Sequence, residues 1–439
     1  MSCFNSNELI ARIIAPSFGK DFIGVVVDAK DKNVINKKVF IPYVLVGELV
    51  RVKVLKDSKN FLRGEVLEIV EASPFRVEPK CPSFYRCGGC HYQHIEYSQQ
   101  LEYKKKVVSD FLLFQSKILS SDSVDDNIKD GGIKVLGDSN LSSFYYRKRA
   151  VIHILENGKM GFFENGTHSV VDFDECALLS RELLECYKIL KPIISKYGKY
   201  FYSLTLDIEG SDIYVILSIR DESLLKELRF NNYFKIYEDL PYKFIFKYRG
   251  QDVFKTFSHE DSAGSFSQVN IEANKFLVDF VIKEVSEISS KQGILNSITE
   301  LYAGAGNFTF LLSDYANRVD AVELDGELVK KGISLSLSKG LEGKVNFIQS
   351  SCEKYVKKNK LGALVLLDPP RGGAKEVVKY INLKDTKSIV YISCYLPTFQ
   401  RDLKALLSKG YKMTALALLD MFPNTHHVEC VALLQREIM

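Results

Sequence analysis

The N-terminal part of the chain alternates short apolar runs with polar turns. Runs rich in Val, Ile and Leu lie at residues 22–28, 39–41, 48–55 and 64–69, separated by Gly, Pro and Lys-Asp turns. Runs of this length and composition predict β-strands. Several short strands in so few residues predict a small barrel of the OB type, a fold that often binds oligonucleotides. A β-module without a nucleic-acid role is the alternative interpretation.

The pattern changes along the rest of the chain. A basic helical stretch at 98–117 and a polar surface loop at 120–132 precede a mixed region, 133–248, which has one long helical segment at 180–195. From about residue 265 onward, helices alternate with apolar strands that end in Gly-rich or Pro-rich turns. This alternation predicts a parallel sheet with helices on both faces.

These patterns predict three domains and an α/β fold class. We expect an OB-like barrel over 1–72, a mixed α+β central domain over 73–255, and a Rossmann-like domain over 256–439. Each of the three is long enough to have its own core.

Composition narrows the class of protein. Hydrophobic residues make up 46% and charged residues 26%, a balance typical of globular proteins. The formal charge of +4 does not by itself indicate a nucleic-acid partner, but basic clusters at 104–106 and 147–149 suit phosphate binding. Each cluster is equally well explained as a solvated face. No secretory signal or long apolar run is present, so we expect a cytoplasmic protein without a membrane span. Nine cysteines, an odd number, then favour metal or catalytic roles over disulfides.

A glycine turn follows the first apolar strand of the Rossmann-like region. Gly304 and Gly306 lie where the strand ends and a helix begins, which lets the backbone approach a ligand closely. Glu323 ends the next strand, and a carboxylate at this position can bind ribose hydroxyls. Thr309 replaces the third glycine of a dinucleotide fingerprint, which favours S-adenosylmethionine over NAD. The motif therefore predicts a nucleoside cofactor.

Three further strand ends bring reactive groups to the same edge. Asp368 precedes two prolines after one apolar strand, Cys394 ends the next, and Glu429 lies near the C-terminus. A thiol and a base close together suit methylation of a pyrimidine carbon, because carbon 5 of uracil becomes nucleophilic only after a thiolate adds at carbon 6. We therefore predict that Cys394 is the nucleophile and Glu429 the base. A buried core cysteine and a surface carboxylate are the alternatives.

A second group of cysteines lies before and within the central region. Cys81, Cys87 and Cys90 have C-x5-C-x2-C spacing around Gly88-Gly89, and Cys176 supplies a fourth thiol. Four thiolates suit either a [4Fe–4S] cluster or zinc. The spacing does not separate these metals, and a metal-free turn is a third interpretation.

Together these motifs resemble the RNA uracil-5-methyltransferase family, especially its cluster-bearing 23S ribosomal RNA branch. The segments SFSQVN, LYAGAGNF, VELD, DPPRGG, ISC and HHVE follow in the order of that family, and the barrel is similar to its TRAM domain. The resemblance implies that S-adenosylmethionine contacts Gln268, Tyr302, Asn307, Glu323 and Asp368. It implies a [4Fe–4S] cluster on Cys81, Cys87, Cys90 and Cys176, with Cys394 as nucleophile and Glu429 as base. It also implies that Phe266 and Gln268 lie where cofactor and base meet.

The resemblance leaves the RNA open. A structured RNA is the expected partner, with 23S ribosomal RNA favoured and transfer RNA as the alternative; we expect the chain to act as a monomer. The family has Asn-Pro after the nucleophile, whereas here Tyr395-Leu396 occupy these positions. An amino-group methyltransferase would have an aromatic residue where Arg371 stands, and a cytosine-5 enzyme would have another cysteine in that loop. An RNA-binding assembly factor with a vestigial site is the alternative from another class.

Overall fold

The computed structural model describes residues 7–115, 117–129, 132–137, 141–230, 233–257 and 268–436. The described residues form two compact units. The first comprises Met1–Val107, Ser142–Phe257 and Phe422–His426, and the second comprises Val108–Leu141, Ser258–Met421 and His427–Met439.

The N-terminal strands of the first unit close into a barrel. Its strands are β1 (Glu8–Pro16), β2 (Asp21–Ala29), β3 (Lys38–Pro42), β4 (Leu49–Asp57) and β5 (Phe61–Glu71). Their order is β1-β2-β3-β5-β4, with β4 pairing back to β1. Four of these strands lie where the sequence predicts them. β1 escaped prediction because outward Ile10 and Ile14 obscure the alternation of its buried residues.

A seven-stranded sheet forms a second part of the first unit. Its strands are β7 (Arg149–Ile154), β8 (Met160–Phe163), β9 (Val170–Asp172), β10 (Phe201–Glu209), β11 (Asp212–Ile219), β12 (Lys243–Tyr248) and β13 (Gln251–Lys255), in the order β13-β12-β11-β10-β7-β8-β9. Its helices are α3 (Arg181–Ser195) and α4 (Glu222–Phe230). The predicted helix at 180–195 corresponds to α3, which begins after Ser180, because the Ser180 hydroxyl accepts a hydrogen bond from the Leu183 N–H (3.3 Å).

Between barrel and sheet, the chain contributes elements to both units. Helix α1 (Tyr97–Asp110) continues as a π-helical turn (Phe111–Gln115), followed by α2 (Asp126–Lys129) and β6 (Lys134–Leu136). The predicted loop at 120–132 therefore contains a helical turn. Short 3-10 helices cover Lys32–Val34, Gly198–Tyr200, Tyr233–Tyr237 and Ser313–Tyr315.

The second unit is built on an eight-stranded sheet. Its strands are β14 (Ile298–Leu301), β15 (Val319–Glu323), β16 (Val345–Gln349), β17 (Leu364–Leu367), β18 (Ser388–Ser393), β19 (Tyr411–Leu419) and β20 (Glu429–Arg436), together with β6. Its helices are α5 (Ile271–Gln292), α6 (Thr309–Leu312), α7 (Gly326–Ser338), α8 (Cys352–Lys358), α9 (Lys375–Val378) and α10 (Leu396–Leu407).

The strand order of this sheet positions its ligand edge. The order is β16-β15-β14-β17-β18-β20-β19-β6, and the first five strands are parallel. The chain moves outward from β14 to β16 and then returns to the other side at β17, so the order reverses between β14 and β17. In open α/β sheets, ligands bind at the carboxyl ends of the strands beside such a reversal. The fold confirms the predicted α/β class. Among the described residues, no helix combines the length and apolar character needed to span a bilayer.

Candidate active site and cysteine cluster

The turn after β14 has the backbone shape that its glycines predict. Gly304 and Gly306 have φ values of +58° and +100°, and the non-glycine Tyr302 also has a positive φ of +65°. A Cβ on Gly306 would lie 2.7 Å from the Phe310 ring, so no larger side chain fits there without movement. The turn thus depends on glycine at this position.

The carboxylate of Glu323 is fixed beside this turn. It accepts hydrogen bonds from the N–H groups of Gly304 (2.9 Å), Leu324 (2.7 Å) and Asp325 (2.9 Å). Three backbone donors hold the carboxylate at the end of β15, next to the glycine turn. The predicted ribose-binding acid therefore lies at the carboxyl edge of the sheet.

The other predicted cofactor residues have different surroundings. The Tyr302 hydroxyl donates to Glu353 (3.3 Å), and the Asn307 amide exchanges two hydrogen bonds with Asn274 of α5 (2.9 and 3.1 Å). Gln268 lies, half-buried, just ahead of α5. Phe266 lies outside the described residues.

Cys394, Asp368 and Glu429 come from three neighbouring strands. Asp368 follows β17, Cys394 follows β18, and Glu429 begins β20. Because β20 runs antiparallel to β18, with Ser393 paired to Cys430, its first residue lies at the edge where β17 and β18 end. The structure therefore brings together the three groups that the sequence placed at this edge.

Burial and like charges determine how these groups hold protons. Burial, followed by the charges of Glu429 and Asp368, raises the pKa of Cys394 to about 11, while Arg371 opposes this shift. Burial and the Asp368 charge raise the pKa of Glu429 well above its usual value. Burial also raises the pKa of Asp368 above its usual value. At neutral pH, the Cys394 thiol therefore holds its proton.

Helix α10, which begins two residues after Cys394, also fixes the loop after β17. The buried carboxylate of Asp402 accepts hydrogen bonds from the Ala374 N–H (2.7 Å) and the Tyr391 hydroxyl (2.7 Å). The Arg401 guanidinium donates to the Gly372 carbonyl (3.1 Å), and the Thr398 hydroxyl donates to the Arg371 carbonyl (3.0 Å).

Sequence reasoning missed this clamp. Its signal is an acid on the apolar face of an amphipathic helix, where a charge is costly unless it has partners. Nothing in the sequence names those partners.

The departure from the family pattern lies at the start of α10. Leu396 is the buried first residue of the helix, and Pro397 follows in its first turn, where proline is tolerated. The Tyr395 N–H donates to the Ser393 hydroxyl (3.3 Å), and the tyrosine is 37% exposed. Tyr395 and Leu396 are therefore compatible with the end of β18 and the start of α10.

The four predicted metal-binding thiols lie near one another in the first unit. Burial is the largest cause of the raised pKa of Cys81, Cys87 and Cys90, and the charge of the nearby Cys176 adds to the rise in each case. The sulfurs of Cys87 and Cys90 accept hydrogen bonds from the Gly89 N–H (3.4 Å) and the Gln93 amide (3.1 Å).

The positions of these thiols do not by themselves define a metal site. Across the part of the chain that the structure describes, no three His, Cys, Asp or Glu side chains are placed to hold a metal ion. Of the cysteines outside both groups, Cys186, Cys352 and Cys430 are buried and unpaired by disulfides, as expected for structural residues. Cys3 lies outside the described residues.

These features define the class of protein: a Rossmann-like methyltransferase domain combined with an N-terminal barrel of the OB type. The family model for tRNA (uracil-5-)-methyltransferase matches residues 251–437, and the TRAM domain model matches residues 5–67.

Similar proteins extend the comparison to nearly the whole chain. The 23S rRNA (uracil(1939)-C(5))-methyltransferase RlmD of Francisella tularensis subsp. novicida is 31% identical, over 91% of this chain and 92% of its own. An uncharacterized RNA methyltransferase of Aquifex aeolicus is also 31% identical, over 91% and 93%. Among solved structures, the Pyrococcus abyssi tRNA (uracil-54, C5)-methyltransferase in complex with S-adenosyl-L-homocysteine has a TM-score of 0.68 at 22% identity, covering 97% of this chain and 99% of that one. The chain belongs to the family of S-adenosylmethionine-dependent RNA uracil-5-methyltransferases.

Proposed function

We propose that this enzyme methylates carbon 5 of a uridine in 23S ribosomal RNA, with Cys394 as nucleophile and Glu429 as base. The observation that supports this most strongly is the meeting of Cys394, Asp368 and Glu429 at one edge of the sheet. The names of the RlmD relatives support ribosomal RNA as the substrate.

The proposed reaction forms and later breaks a bond at carbon 6 of uracil and replaces the hydrogen on carbon 5 with a methyl group. The Cys394 thiolate forms a bond to carbon 6, and the electron pair of the 5,6 double bond moves into an enolate. Carbon 5 then takes the methyl group from the sulfonium of S-adenosylmethionine, which leaves as S-adenosylhomocysteine. The Glu429 carboxylate removes the proton from carbon 5, the 5,6 double bond re-forms, and the thiolate departs.

The raised pKa values imply that the free enzyme is not poised for this reaction. A thiol is not the nucleophile until it ionises, and a protonated Glu429 cannot accept the carbon-5 proton. A nearby positive charge favours the ionised form of an acid. We infer that Asp368 and its neighbours would hold the methyl donor, whose sulfonium would supply a positive charge that favours the ionised forms of Cys394 and Glu429. Methyl transfer would then require the donor for activation as well as for its methyl group.

The cofactor residues fit a nucleoside. Glu323 is held by three backbone donors at the place where a ribose would lie, and the Gly304 turn leaves open space above its Cα. We propose that Gln268, Tyr302 and Asn307 complete this site together with Asp368. S-adenosylmethionine supplies the methyl group, and these residues orient it.

In this proposal, different parts of the chain bind the RNA and catalyse the reaction. The barrel (1–72) and the central domain (73–255) bind the RNA, and residues 256–439 catalyse, with β6 added to the catalytic sheet. A uridine within a helix cannot expose carbons 5 and 6, so the target lies in a loop or is flipped out. A ribosomal RNA substrate also agrees with a cytoplasmic location.

We further propose that Cys81, Cys87, Cys90 and Cys176 hold a [4Fe–4S] cluster. Their chemistry fits, because four soft thiols with N–H donors to two of the sulfurs suit such a cluster. The cluster would cross-link the loop after the barrel to the segment that contains Cys176, and no step of the reaction passes through it. Anaerobic reconstitution followed by iron, sulfide and zinc analysis tests this; bound zinc without iron would contradict it.

The function is tested with labelled S-adenosylmethionine and two unmodified RNAs, 23S ribosomal RNA and transfer RNA. We expect labelled 5-methyluridine after digestion of the ribosomal RNA only. Labelling of transfer RNA alone would overturn the substrate, and labelling of neither, with donor binding intact, would favour the assembly-factor alternative.

A further inference from the structure

The loop that joins β19 to β20 leads directly to the proposed base. It comprises residues 420–428, and Glu429 is the first residue of β20. Within this loop, Phe422–His426 belongs to the first unit, although the chain on both sides of it belongs to the second. Connections between strands usually lie at the surface, but here Asn424 and Thr425 are 1% and 2% exposed. The buried part of the loop therefore needs partners for its polar groups.

Gln100 of α1 holds the centre of this loop. Its side-chain amide donates a hydrogen bond to the Asn424 Oδ1 (3.1 Å), and its Oε1 accepts one from the Asn424 N–H (3.0 Å). The same amide donates to the carbonyls of Tyr92 (3.1 Å) and Ile95 (2.9 Å), which fixes its own orientation. Both side chains are buried, so these bonds lie away from bulk water. We call Gln100 and Asn424 the amide pair.

The first unit also holds the remaining polar groups of Asn424. Its carbonyl accepts hydrogen bonds from the N–H groups of His91 (2.9 Å) and Tyr92 (3.0 Å), the two residues that follow Cys90. Its Nδ2 donates to the Ser143 carbonyl. The φ of Asn424 is +64°, a left-handed conformation that asparagine adopts more readily than most residues. Each nitrogen and oxygen atom of Asn424 thus has a partner in the first unit.

The residues beside Asn424 are held in the same way. The Phe422 carbonyl accepts hydrogen bonds from the Thr425 N–H (3.2 Å), the Thr425 hydroxyl (2.7 Å) and the Lys104 ammonium (3.3 Å). The Tyr146 hydroxyl donates to the Pro423 carbonyl (3.0 Å). A buried network whose members are paired is rigid, and the loss of one member leaves another unsatisfied. The loop is therefore fixed up to four residues before β20 begins.

The position of Glu429 matters for one step of the proposed reaction. Addition to carbon 6 uses Cys394, and methyl transfer uses the donor, whereas removal of the carbon-5 proton uses the Glu429 carboxylate. A base must lie within hydrogen-bonding reach of the proton that it removes, and a displacement of about 1 Å can cost about a hundredfold in rate. A loosened loop should therefore slow proton removal and leave the two earlier steps unchanged.

We propose that Gln100 and Asn424 are positioning residues for the Glu429 base. They act through Glu429, by fixing the loop ahead of β20. This rests on the proposed function and deepens it, because proton removal then depends on a loop that is held by residues of the first unit.

The experiment compares two rates in the full-length protein at saturating donor and 23S ribosomal RNA. Turnover on the unmodified RNA includes proton removal. Formation of the covalent adduct with 5-fluorouridine-substituted RNA does not, because carbon 5 then has no proton to lose. Gln100→Ala removes one side chain of the amide pair. Asn424→Gly removes the other, while glycine keeps the positive φ and the backbone hydrogen bonds.

We expect both variants to separate the two rates. Turnover should fall about tenfold to a hundredfold, whereas the rate of adduct formation should equal that of the wild type. The methylated covalent intermediate should also accumulate on unmodified RNA, as measured with labelled donor on denaturing gels.

The matched control is Ser180→Ala, because Ser180 is a buried polar residue of the first unit whose hydroxyl caps α3 instead of holding the loop. It should lower the melting temperature without separating the two rates. Equal losses in both rates of Asn424→Gly would indicate general damage and overturn the proposal, as would unchanged turnover. The same separation in Ser180→Ala would overturn it too. If Gln100→Ala does not fold, Asn424→Gly decides.

The wild-type protein distinguishes failure of this proposal from failure of the proposed function. If the wild type methylates RNA and forms the adduct, but Asn424→Gly does not separate the two rates, only the positioning proposal is lost. If the wild type yields neither 5-methyluridine nor an adduct, the proposed function is lost and the positioning proposal with it.

Discussion

The molecule contains two groups of half-buried or buried thiols with opposite surroundings. Cys394 lies among acids, since the charges of Glu429 and Asp368 raise its pKa and the charge of Arg371 opposes them. In the four-cysteine group the neighbours include N–H donors from Gly89 and Gln93 and the charge of Arg147, and no acid raises the pKa of Cys81, Cys87 or Cys90. Burial raises the pKa of Cys394 and of Cys87 to about 11 in both places.

The same raised pKa therefore has different consequences for the Cys394 and Cys87 thiols. Beside acids, a thiol keeps its proton, and a cation that arrives nearby favours its ionised form. Beside other thiols and N–H donors, several sulfurs can ionise together only when a metal centre balances their charge. What a thiol does depends on its neighbours more than on its own pKa.

The largest expected effect comes from removing the thiol beside the acids. Cys394→Ala should lower kcat for methyl transfer at least about a thousandfold, because a nucleophile cannot be replaced by its surroundings. It should also abolish the covalent adduct with 5-fluorouridine RNA, measured on denaturing gels. The matched control is Cys186→Ala, a fully buried thiol outside the proposed catalytic and cofactor sites. An adduct that persists in Cys394→Ala would assign the nucleophile elsewhere.

Removing the base should separate the two halves of the reaction. Glu429→Gln should slow turnover by about a hundredfold or more, the usual contribution of a general base. The methylated covalent intermediate should accumulate, because addition and methyl transfer still occur while proton removal does not. Denaturing gels with labelled donor and unmodified RNA measure this. Turnover that falls without any trapped adduct would argue that Glu429 acts before the methyl step.

The four-cysteine group should affect stability more than chemistry. Cys90→Ser should prevent reconstitution of the iron–sulfur absorbance and lower the melting temperature by several degrees, while the Cys394 adduct still forms with 5-fluorouridine RNA. Cys186→Ser is the matched control, because Cys186 is a fully buried thiol of α3 in the same unit and is not one of the predicted ligands. Full iron content in Cys90→Ser would remove this cysteine from the ligand set.

The smallest effect tests the acids directly. Because the Asp368 charge helps to raise the pKa of Cys394, Asp368→Asn should lower that pKa, and alkylation of Cys394 at pH 8 should become several-fold faster. Peptide mass spectrometry after iodoacetamide treatment across pH 7 to about 11 measures this. Glu342→Gln, which changes an exposed carboxylate not acting on Cys394, should leave the rate unchanged. Slower alkylation in Asp368→Asn would reverse the proposed electrostatics.

The sequence predicted the residues at the strand ends but not the pairings and hydrogen bonds that hold them in place. Asp368 and Cys394 each follow an apolar strand, and parallel strands end at one edge, so their proximity was predictable. Glu429 reached this edge through the pairing of β20 with β18, which no local pattern reveals. The Asp402 clamp was missed because its partners come from the loop after β17 and from β18.

The placement of the barrel strands shows the same limit on a smaller scale. Alternation located β2 to β5, but β1 and β6 owe their assignment to partners distant in the chain.

The Asp402 clamp has a consequence for how this sequence can vary. Helix α10 begins beside Cys394, the proposed nucleophile, and ties down the loop that contains Asp368. The length of the chain between Cys394 and Arg401 therefore sets the distance between Cys394 and that loop. The amino acids of this segment can change, as Tyr395-Leu396 illustrate. An insertion or deletion within it would shift Cys394 relative to Asp368. Homologues of this enzyme should therefore vary in the amino-acid sequence of this segment and keep its length.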